Sequence, residues 1–83
     1  MYELKVLPSA RKDLDSLEKT VFERIKLKIL GLRQEPRPVG SLKLSADGGY
    51  RVRVGDYRVL YRVDDAIKTV FLYRIKHRRD AYR

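Results

Sequence analysis

The segment Tyr50–Val63, with the sequence YRVRVGDYRVLYRV, constrains the fold most strongly because apolar and basic residues alternate along it. Alternation with period two is typical of β-strands. Gly55-Asp56 interrupts the pattern, and glycine accepts the positive φ that a two-residue hairpin turn requires. The segment therefore predicts a β-hairpin, and a two-residue turn sets its register so that Arg53 lies opposite Arg58.

The predicted register divides the hairpin into an apolar face and a basic face. The apolar face, which suits a core, carries Tyr50, Val52, Val54, Tyr57, Val59 and Tyr61. The basic face carries Arg51, Arg53, Arg58, Leu60 and Arg62. Like charges opposed across a β-ladder repel each other. A bound anion, above all a phosphate, would explain the opposed arginines. A solvated face, on which the arginine stems cover apolar surface, is the alternative.

Composition limits the classes of protein that this chain can belong to. Its 83 residues are 43% hydrophobic, which suits one globular domain over residues 1–83. The net charge of +9 indicates an anionic partner: nucleic acid, an anionic membrane surface or an acidic protein. The absence of cysteine excludes disulfides, zinc–thiolate sites and thiol nucleophiles. Since we see neither a signal peptide nor an apolar run of about 20 residues, we expect a cytoplasmic protein.

The N-terminal half predicts one strand and two helices. Tyr2–Leu7 alternates and predicts a strand, which Pro8 ends. Helical spacing of apolar residues predicts a helix from Pro8-Ser9 to Glu18. A capping-box pattern over Thr20–Glu23 predicts that a second helix begins at Thr20 and ends before Pro36.

The C-terminal half predicts a loop and then strands. Within the loop from Pro36 to Gly49, Leu42 and Leu44 are expected to anchor onto the body of the protein. The strand Ile67–Ile75 is the most apolar and is expected to be central. The order β-α-α-β-β-β predicts an α+β fold, in which a small, mostly antiparallel sheet of about four strands packs against two N-terminal helices, with a short C-terminal tail.

Few residues are candidates for catalysis. One histidine and scattered carboxylates give no metal site, and no motif indicates a cofactor. His77 lies in the basic run 76–79, where a surface position is the ordinary explanation and a catalytic role the alternative. Tyr82 either packs back on the sheet, or stacks on a base or transfers a proton.

The chain resembles the RelE/ParE superfamily of bacterial and archaeal toxins from toxin–antitoxin pairs. The segments that carry the resemblance are LKL at 42–44, GYRVRV at 49–54, GDYRVLYRV at 55–63 and IKHRRDAY at 75–82. The resemblance covers essentially the whole chain and implies the RelE branch. Toxins of that branch enter the ribosomal A site and cut the messenger there. The ribose 2′-OH attacks the adjacent phosphate, which leaves a cyclic phosphate and a free 5′-OH.

The resemblance also implies site residues and partners. Matching the family pattern position by position gives the catalytic set Arg51, Arg53, Arg58, Arg78 and Tyr82, to which we add His77 as a candidate for proton transfer. The implied partners are a cognate antitoxin, the ribosome and mRNA, with promoter DNA bound only through the antitoxin. Neither a cofactor nor a membrane is implied.

One departure from the family pattern affects the expected mechanism. Arginine stands at 51 and 53, where well-known members have lysine, and arginine stays protonated. Electrostatic stabilisation of the pentacoordinate phosphate is then its clearest role. Tyr82 and His77 are the nearby candidates that can both donate and accept a proton. Two alternatives remain: a ParE-like inhibitor of DNA gyrase without nuclease activity, and a plain nucleic-acid-binding module.

Overall fold

The computed structural model describes residues 1–44, 46 and 48–79 of the chain. In these residues, two helices and one five-stranded sheet follow one another along the sequence. They are β1 (Glu3–Val6), α1 (Pro8–Asp15), α2 (Lys19–Gly31), β2 (Leu42–Lys43), β3 (Gly49–Val54), β4 (Tyr57–Asp64) and β5 (Thr69–His77). The sheet order is β1-β5-β4-β3-β2, with β1 parallel to β5 and the other pairs antiparallel. The predicted α+β fold is confirmed, and the two-residue edge strand β2 is the one strand that the sequence did not predict.

The helix boundaries differ from the prediction at the end of α1, which lies at Asp15 and not at Glu18, and at the start of α2. α1 begins at Pro8, where the fixed φ of proline suits the first turn and its missing N–H costs nothing. α2 begins at Lys19, and its N-cap Glu18 makes no side-chain capping bond. The Thr20 hydroxyl instead donates to the Glu18 carboxylate at 2.7 Å, so the predicted capping box is wrong. No helix in the described ranges is long and apolar enough to cross a membrane.

The core lies between the helices and one face of the sheet. α2 contributes Ile25 and Ile29, which follow each other at helical spacing on its buried side. Among the described residues, the buried apolar set is Ala10, Ile25, Ile29, Leu32, Val52, Val59, Tyr61, Val63, Val70, Leu72 and Ile75. The apolar face predicted for the hairpin is confirmed, because its other members, Tyr50, Val54 and Tyr57, pack against this set.

The loop before the hairpin does not anchor as the sequence predicts. Leu42 and Leu44 are 51% and 48% exposed. Leu42 pairs with Arg51 across the β2–β3 ladder, and Arg51 lies on the face turned away from the core. Residues paired across a ladder share a face, so the register carries Leu42 to the solvent side. The predicted anchoring is therefore wrong.

β5 lies inside the sheet between β1 and β4, while β4 is the middle strand of the five. β5 begins at Thr69, and Ile67 precedes it in an exposed turn. The β4–β5 register shifts by one residue between Leu60 and Tyr61 of β4. This bulge places both Leu72 and Ile75 in the core, although strict alternation would put residues three apart on opposite faces.

A carboxylate from α1 continues the hydrogen bonding along the edge of β5 beyond the point where β1 ends. β1 pairs with β5 as far as Leu72, and α1 covers the rest of that edge. The Asp13 carboxylate on α1 accepts a hydrogen bond from the backbone N–H of Ile75 at 2.8 Å. It also accepts one from Nε of Arg74 at 2.9 Å. Asp13 thus satisfies an edge donor that would otherwise be free to pair with another chain.

A polar cluster holds the loop after α2 against the β4–β5 turn. Arg37 donates two hydrogen bonds to the Asp65 carboxylate, at 2.7 and 3.3 Å, and one to the Tyr50 hydroxyl at 2.9 Å. The Tyr2 hydroxyl donates to the same carboxylate at 2.6 Å. The buried Tyr61 hydroxyl donates to the backbone oxygen of Pro36 at 2.7 Å. We call Tyr2, Arg37, Tyr50 and Asp65 the clasp.

Candidate functional site

A row of three cations crosses the sheet on the face turned away from the helices. Arg53 of β3 pairs with Arg58 of β4, as the sequence predicts, and Arg58 pairs with Lys76 of β5. Neighbouring strands lie about 4.8 Å apart, so the row spans roughly 10 Å of backbone. We call Arg53, Arg58 and Lys76 the cation row.

The tight β3–β4 turn places the cation row near one end of the sheet. Gly55 has φ +59° and so occupies the left-handed region that a two-residue turn needs. The backbone N–H of Arg78 donates to the carbonyl of Asp56 at 2.7 Å, which holds the end of β5 against this turn. Arg78 is exposed there and lies two residues beyond Lys76. The hairpin end of the sheet therefore gathers the cation row and Arg78.

The three members of the cation row differ in how far they reach into solvent. Arg53 is exposed, whereas Arg58 and Lys76 are half-buried. The Nε atom of Arg58 is buried. Burial restricts the rotamers of a side chain, so Arg58 is the most strongly positioned cation of the row.

A second row of residues on the same face lies one pleat away from the hairpin end. It pairs Arg51 with Leu60 and Leu60 with Arg74. Arg74 is engaged by Asp13 through the hydrogen bond already described. Arg51, which is half-buried, extends the positive surface of Arg53 along β3. The structure thus brings Arg51, Arg53 and Arg58 together on one face, as the register predicts.

His77 lies on the other side of the sheet. Successive residues of a strand point to opposite faces, so His77 faces the helices while Lys76 belongs to the cation row. Its ring meets Tyr57 edge to face, with centroids 5.0 Å apart. Together with Val21 and Arg24 these rings line a cleft of about 120 Å³. The structure therefore separates His77 from Arg53 and Arg58. Tyr82 lies outside the described residues.

Sequence reasoning did not assign Lys76 to the site. The signal was present: Ile75 is apolar and Lys76 follows it, so alternation places the lysine on the solvent face beside β4. Its pairing with Arg58 became visible only with the β4–β5 register, which the bulge shifts by one residue.

The arrangement is suited to stabilising negative charge. Guanidinium and ammonium groups donate hydrogen bonds to phosphate oxygens and offset developing charge on them. Neither arginine of the row can serve as a base, since arginine stays protonated. Among the described residues there is no group of three or more histidine or carboxylate side chains that could hold a metal ion.

Comparison with known proteins decides the family. The model of the family described as "ParE toxin of type II toxin-antitoxin system, parDE" matches residues 4–82. The chain belongs to the ParE toxin family of type II toxin–antitoxin systems. The resemblance to RelE/ParE superfamily toxins is thereby confirmed, and the toxin can be compared with its relatives.

Named relatives are similar over nearly their whole length. Toxin RelG of Mycobacterium tuberculosis is 37% identical over 84 residues, which cover 99% of this chain and 97% of that protein. The toxin is similar to the archaeal RelE–RelB complex of Pyrococcus horikoshii, with a TM-score of 0.85, 34% identity and coverage of 93% and 94%. The isolated E. coli RelE toxin gives a TM-score of 0.83 at 25% identity, covering 93% of this chain and 84% of that one.

Proposed function

We propose that this toxin is a ribosome-dependent endoribonuclease that cuts mRNA and so inhibits translation. The observation that carries the proposal is the cation row, in which Arg58 lies between Arg53 and Lys76. A stable sheet has no need of three like charges in register, whereas an anion bound among them would compensate their repulsion. The similarity to proteins named RelE supports the same activity.

The proposed reaction is an intramolecular transesterification at one phosphate of the messenger. The 2′-oxygen loses its proton and attacks the adjacent phosphorus, so that a P–O2′ bond forms. The P–O5′ bond breaks, and the departing 5′-oxygen takes up a proton. The products are a 2′,3′-cyclic phosphate and a 5′-hydroxyl, and no cofactor is consumed. Between substrate and products lies a pentacoordinate phosphorane with additional negative charge.

We assign electrostatic roles to the arginines. Arg58 and Arg53 bind the non-bridging oxygens of the phosphorane, with Lys76 beside them. Arg51 and Arg78 hold neighbouring phosphates of the messenger. Because the contacts to the phosphorane strengthen as charge develops, they lower the barrier more than they stabilise the bound substrate.

Proton transfer falls to Tyr82 in this proposal. Its hydroxyl can donate and accept, and it follows Arg79 in the chain by three residues. His77 has the same chemical capacity, but it faces the helices beside Tyr57. We therefore rank Tyr82 before His77 as the group that exchanges a proton with the substrate.

The direct test uses purified toxin and translating ribosomes. The expected result is cleavage of the messenger in the A site, with ends that carry a cyclic phosphate and a 5′-hydroxyl. Messenger without ribosomes serves as the control and should be cut far more slowly. Intact messenger after incubation with folded toxin and ribosomes would refute the proposal.

The matching family is described as ParE toxins, and a ParE-like inhibitor of DNA gyrase is the second candidate. In this case the cation row would contact DNA or an acidic surface of gyrase without cleaving anything. A supercoiling assay distinguishes the two candidates. Inhibited supercoiling together with intact messenger would favour gyrase as the target.

We also propose that an acidic antitoxin partner neutralises the toxin and that the pair binds promoter DNA through the antitoxin. The P. horikoshii relative was solved as a RelE–RelB complex. A chain with net charge +9 and an exposed basic face complements an acidic segment that folds on binding. Co-expression with the small open reading frame beside the gene tests this. Failure of that product to bind the toxin or to relieve growth arrest would contradict the proposed pairing.

A further inference from the structure

A cleft between α2 and β3 adjoins the cation row. Its volume is about 480 Å³, and it opens onto solvent. The residues that line it are Arg24, Leu27, Lys28, Arg53, Val54 and Gly55. All charged residues among them are cations. Arg53 belongs to both the cleft and the cation row, so the two surfaces meet at this residue.

Arg24 connects the helix to the tip of the hairpin. Its guanidinium nitrogens lie 3.5 Å from the position that a Cβ on Gly55 would occupy. Arg24 and Lys28 are four residues apart on α2 and so share one face of the helix. Like charges at this spacing destabilise an isolated helix slightly. Both side chains line the cleft that Arg53 also lines.

Two arginines elsewhere in the fold form ion pairs, unlike the cations of this cleft. Arg37 pairs with Asp65 at 2.7 Å, and Arg74 pairs with Asp13 at 2.9 Å. In the part of the chain that the structure describes, Arg24, Lys28 and Arg53 form no ion pair. Their charges are thus available to a ligand.

We propose that the RNA strand bound by the cation row continues around the hairpin tip and along this cleft, where Arg24 and Lys28 bind its phosphates. The inference rests on the proposed function, because it takes RNA as the anion. The succession Lys76, Arg58, Arg53, Arg24, Lys28 is a repeating line of like charge, which matches the repeating phosphates of a nucleic acid. Leu27, 72% exposed in the cleft, offers apolar surface to a base or to a peptide side chain and does not distinguish them.

The test measures binding of a 2′-O-methylated single-stranded oligoribonucleotide over a series of salt concentrations. The missing 2′-hydroxyl prevents cleavage, so binding is read separately from activity. Removing one cation that binds a phosphate should reduce the slope of log K against log salt by about 0.7. Arg24→Ala and Lys28→Ala are each expected to reduce it by that amount, with Arg24→Gln as a variant that keeps more of the packing on Gly55. Lys26→Ala is the matched control, since Lys26 is exposed on α2 and does not line the cleft.

The outcomes separate this inference from the proposed function. If Arg53→Ala reduces the slope while Arg24→Ala and Lys28→Ala behave like Lys26→Ala, the inference is overturned and the nuclease remains in place. If the two α2 variants bind RNA as wild type does but bind an acidic antitoxin more weakly, the cleft belongs to the protein partner and the inference is equally overturned. Failure of the nuclease itself is read from messenger cleavage on ribosomes, which this binding assay does not measure.

Discussion

Arg58 has a cation on each side of it, and its own Nε atom is buried. Like charges that adjoin one another repel, and burial weakens the screening of this repulsion. A phosphate among the three side chains would offset it. At the residue scale, the function proposed for Arg53, Arg58 and Lys76 therefore depends on an anion that binds between them.

Lys76→Ala is expected to reduce messenger cleavage about tenfold. Lys76 is adjacent to Arg58 but only half-buried, so its charge is partly screened and its contribution is roughly 1.4 kcal/mol. The measurement is the single-turnover cleavage rate on ribosomes. Lys76→Arg keeps the charge and should retain most of the rate. An unchanged rate in Lys76→Ala would remove Lys76 from the cation row's function.

Tyr82 is tested by two substitutions that remove different properties. Tyr82→Phe keeps the ring and removes the proton-bearing hydroxyl, whereas Tyr82→Ala removes both. If Tyr82 transfers the proton, both variants should lose about 10²–10⁴ in rate. If the ring only stacks on a base, Tyr82→Phe should retain the rate and Tyr82→Ala should lose it. Wild-type rates in both variants would make Tyr82 a structural residue.

The hairpin residues could be assigned to their faces from sequence, because a period of two together with a two-residue turn allows only one register. Arg53 and Arg58 were placed opposite each other in this way. Lys76 could not be placed, since its partner depends on a bulge in β4–β5 that local pattern does not encode. The side of the sheet on which His77 lies follows from the same register. The positions of single residues were thus predictable where local geometry decides them.

At the scale of elements, α1 supplies a hydrogen-bond acceptor to the edge of β5 that a neighbouring strand would otherwise supply. β1 ends at Val6, and the Asp13 carboxylate then takes the hydrogen bond from Ile75 that another strand would accept. The interaction joins residues 62 positions apart. Nothing in the local sequence around Asp13 indicates it, so this contact was not predictable.

Asp13→Ala is expected to lower the free energy of unfolding by about 2 kcal/mol. The change removes two hydrogen bonds to an ionised acceptor and leaves the Ile75 N–H without this partner. The measurement is urea denaturation followed by circular dichroism. Asp15→Ala is the control on the same helix, since its exposed contact with Arg11 at 3.9 Å should contribute less than about 0.5 kcal/mol. Equal effects of the two substitutions would contradict the role given to Asp13.

The predicted capping box shows why element boundaries are harder to derive than elements. Thr20 and Glu23 have the required spacing, yet α2 begins one residue earlier and Glu18 takes the N-cap position. The buried side of α2, with Ile25 and Ile29, depends on packing along the whole helix. The boundary depends on a few competing polar contacts, such as the one from Thr20 to Glu18.

At the scale of the whole molecule, the clasp joins the N-terminus, the loop after α2 and the β4–β5 turn. Hydrogen bonds from Arg37 and then Tyr2 hold the pKa of the Asp65 carboxyl below its usual range. The hydrogen bond to Asp65 raises the pKa of the Tyr2 phenol. A lowered carboxyl pKa stabilises the fold above about pH 4, and this stability is lost as pH falls through the folded-state pKa. A raised phenol pKa stabilises it below about pH 10, and this stability is lost as pH rises through the folded-state value.

Asp65→Asn should therefore lower the denaturation midpoint most between about pH 5 and pH 9. As pH falls from about 4 through the lowered folded-state pKa, the variant and wild type should converge, because Asp65 becomes protonated in the wild type as well. The measurement is the thermal midpoint over a pH series. Asp15→Asn, which alters an exposed carboxylate, should show almost no difference at any pH. A constant difference between Asp65→Asn and wild type down to pH 2 would contradict the clasp.

The α+β architecture was predictable because it follows from the order of elements and from hydrophobic period, which are properties of the whole chain. The clasp was not, since Tyr2 and Asp65 lie 63 residues apart and meet only in the folded sheet. The candidate site stands between these cases. Arg51, Arg53 and Arg58 follow from one hairpin, while Lys76 comes from β5 and Arg24 and Lys28 line an adjoining cleft from α2.

The central claim is that the cation row stabilises the scissile phosphate of a messenger, and Arg58→Ala tests it most directly. The measurement is the single-turnover cleavage rate on translating ribosomes, with Lys5→Ala as the control on the same face at the far edge of the sheet. Loss of one transition-state contact of this kind corresponds to roughly 3 kcal/mol, so Arg58→Ala should cleave about a hundredfold more slowly than Lys5→Ala while remaining at least as stable. Cleavage by folded Arg58→Ala at the wild-type rate would contradict the claim.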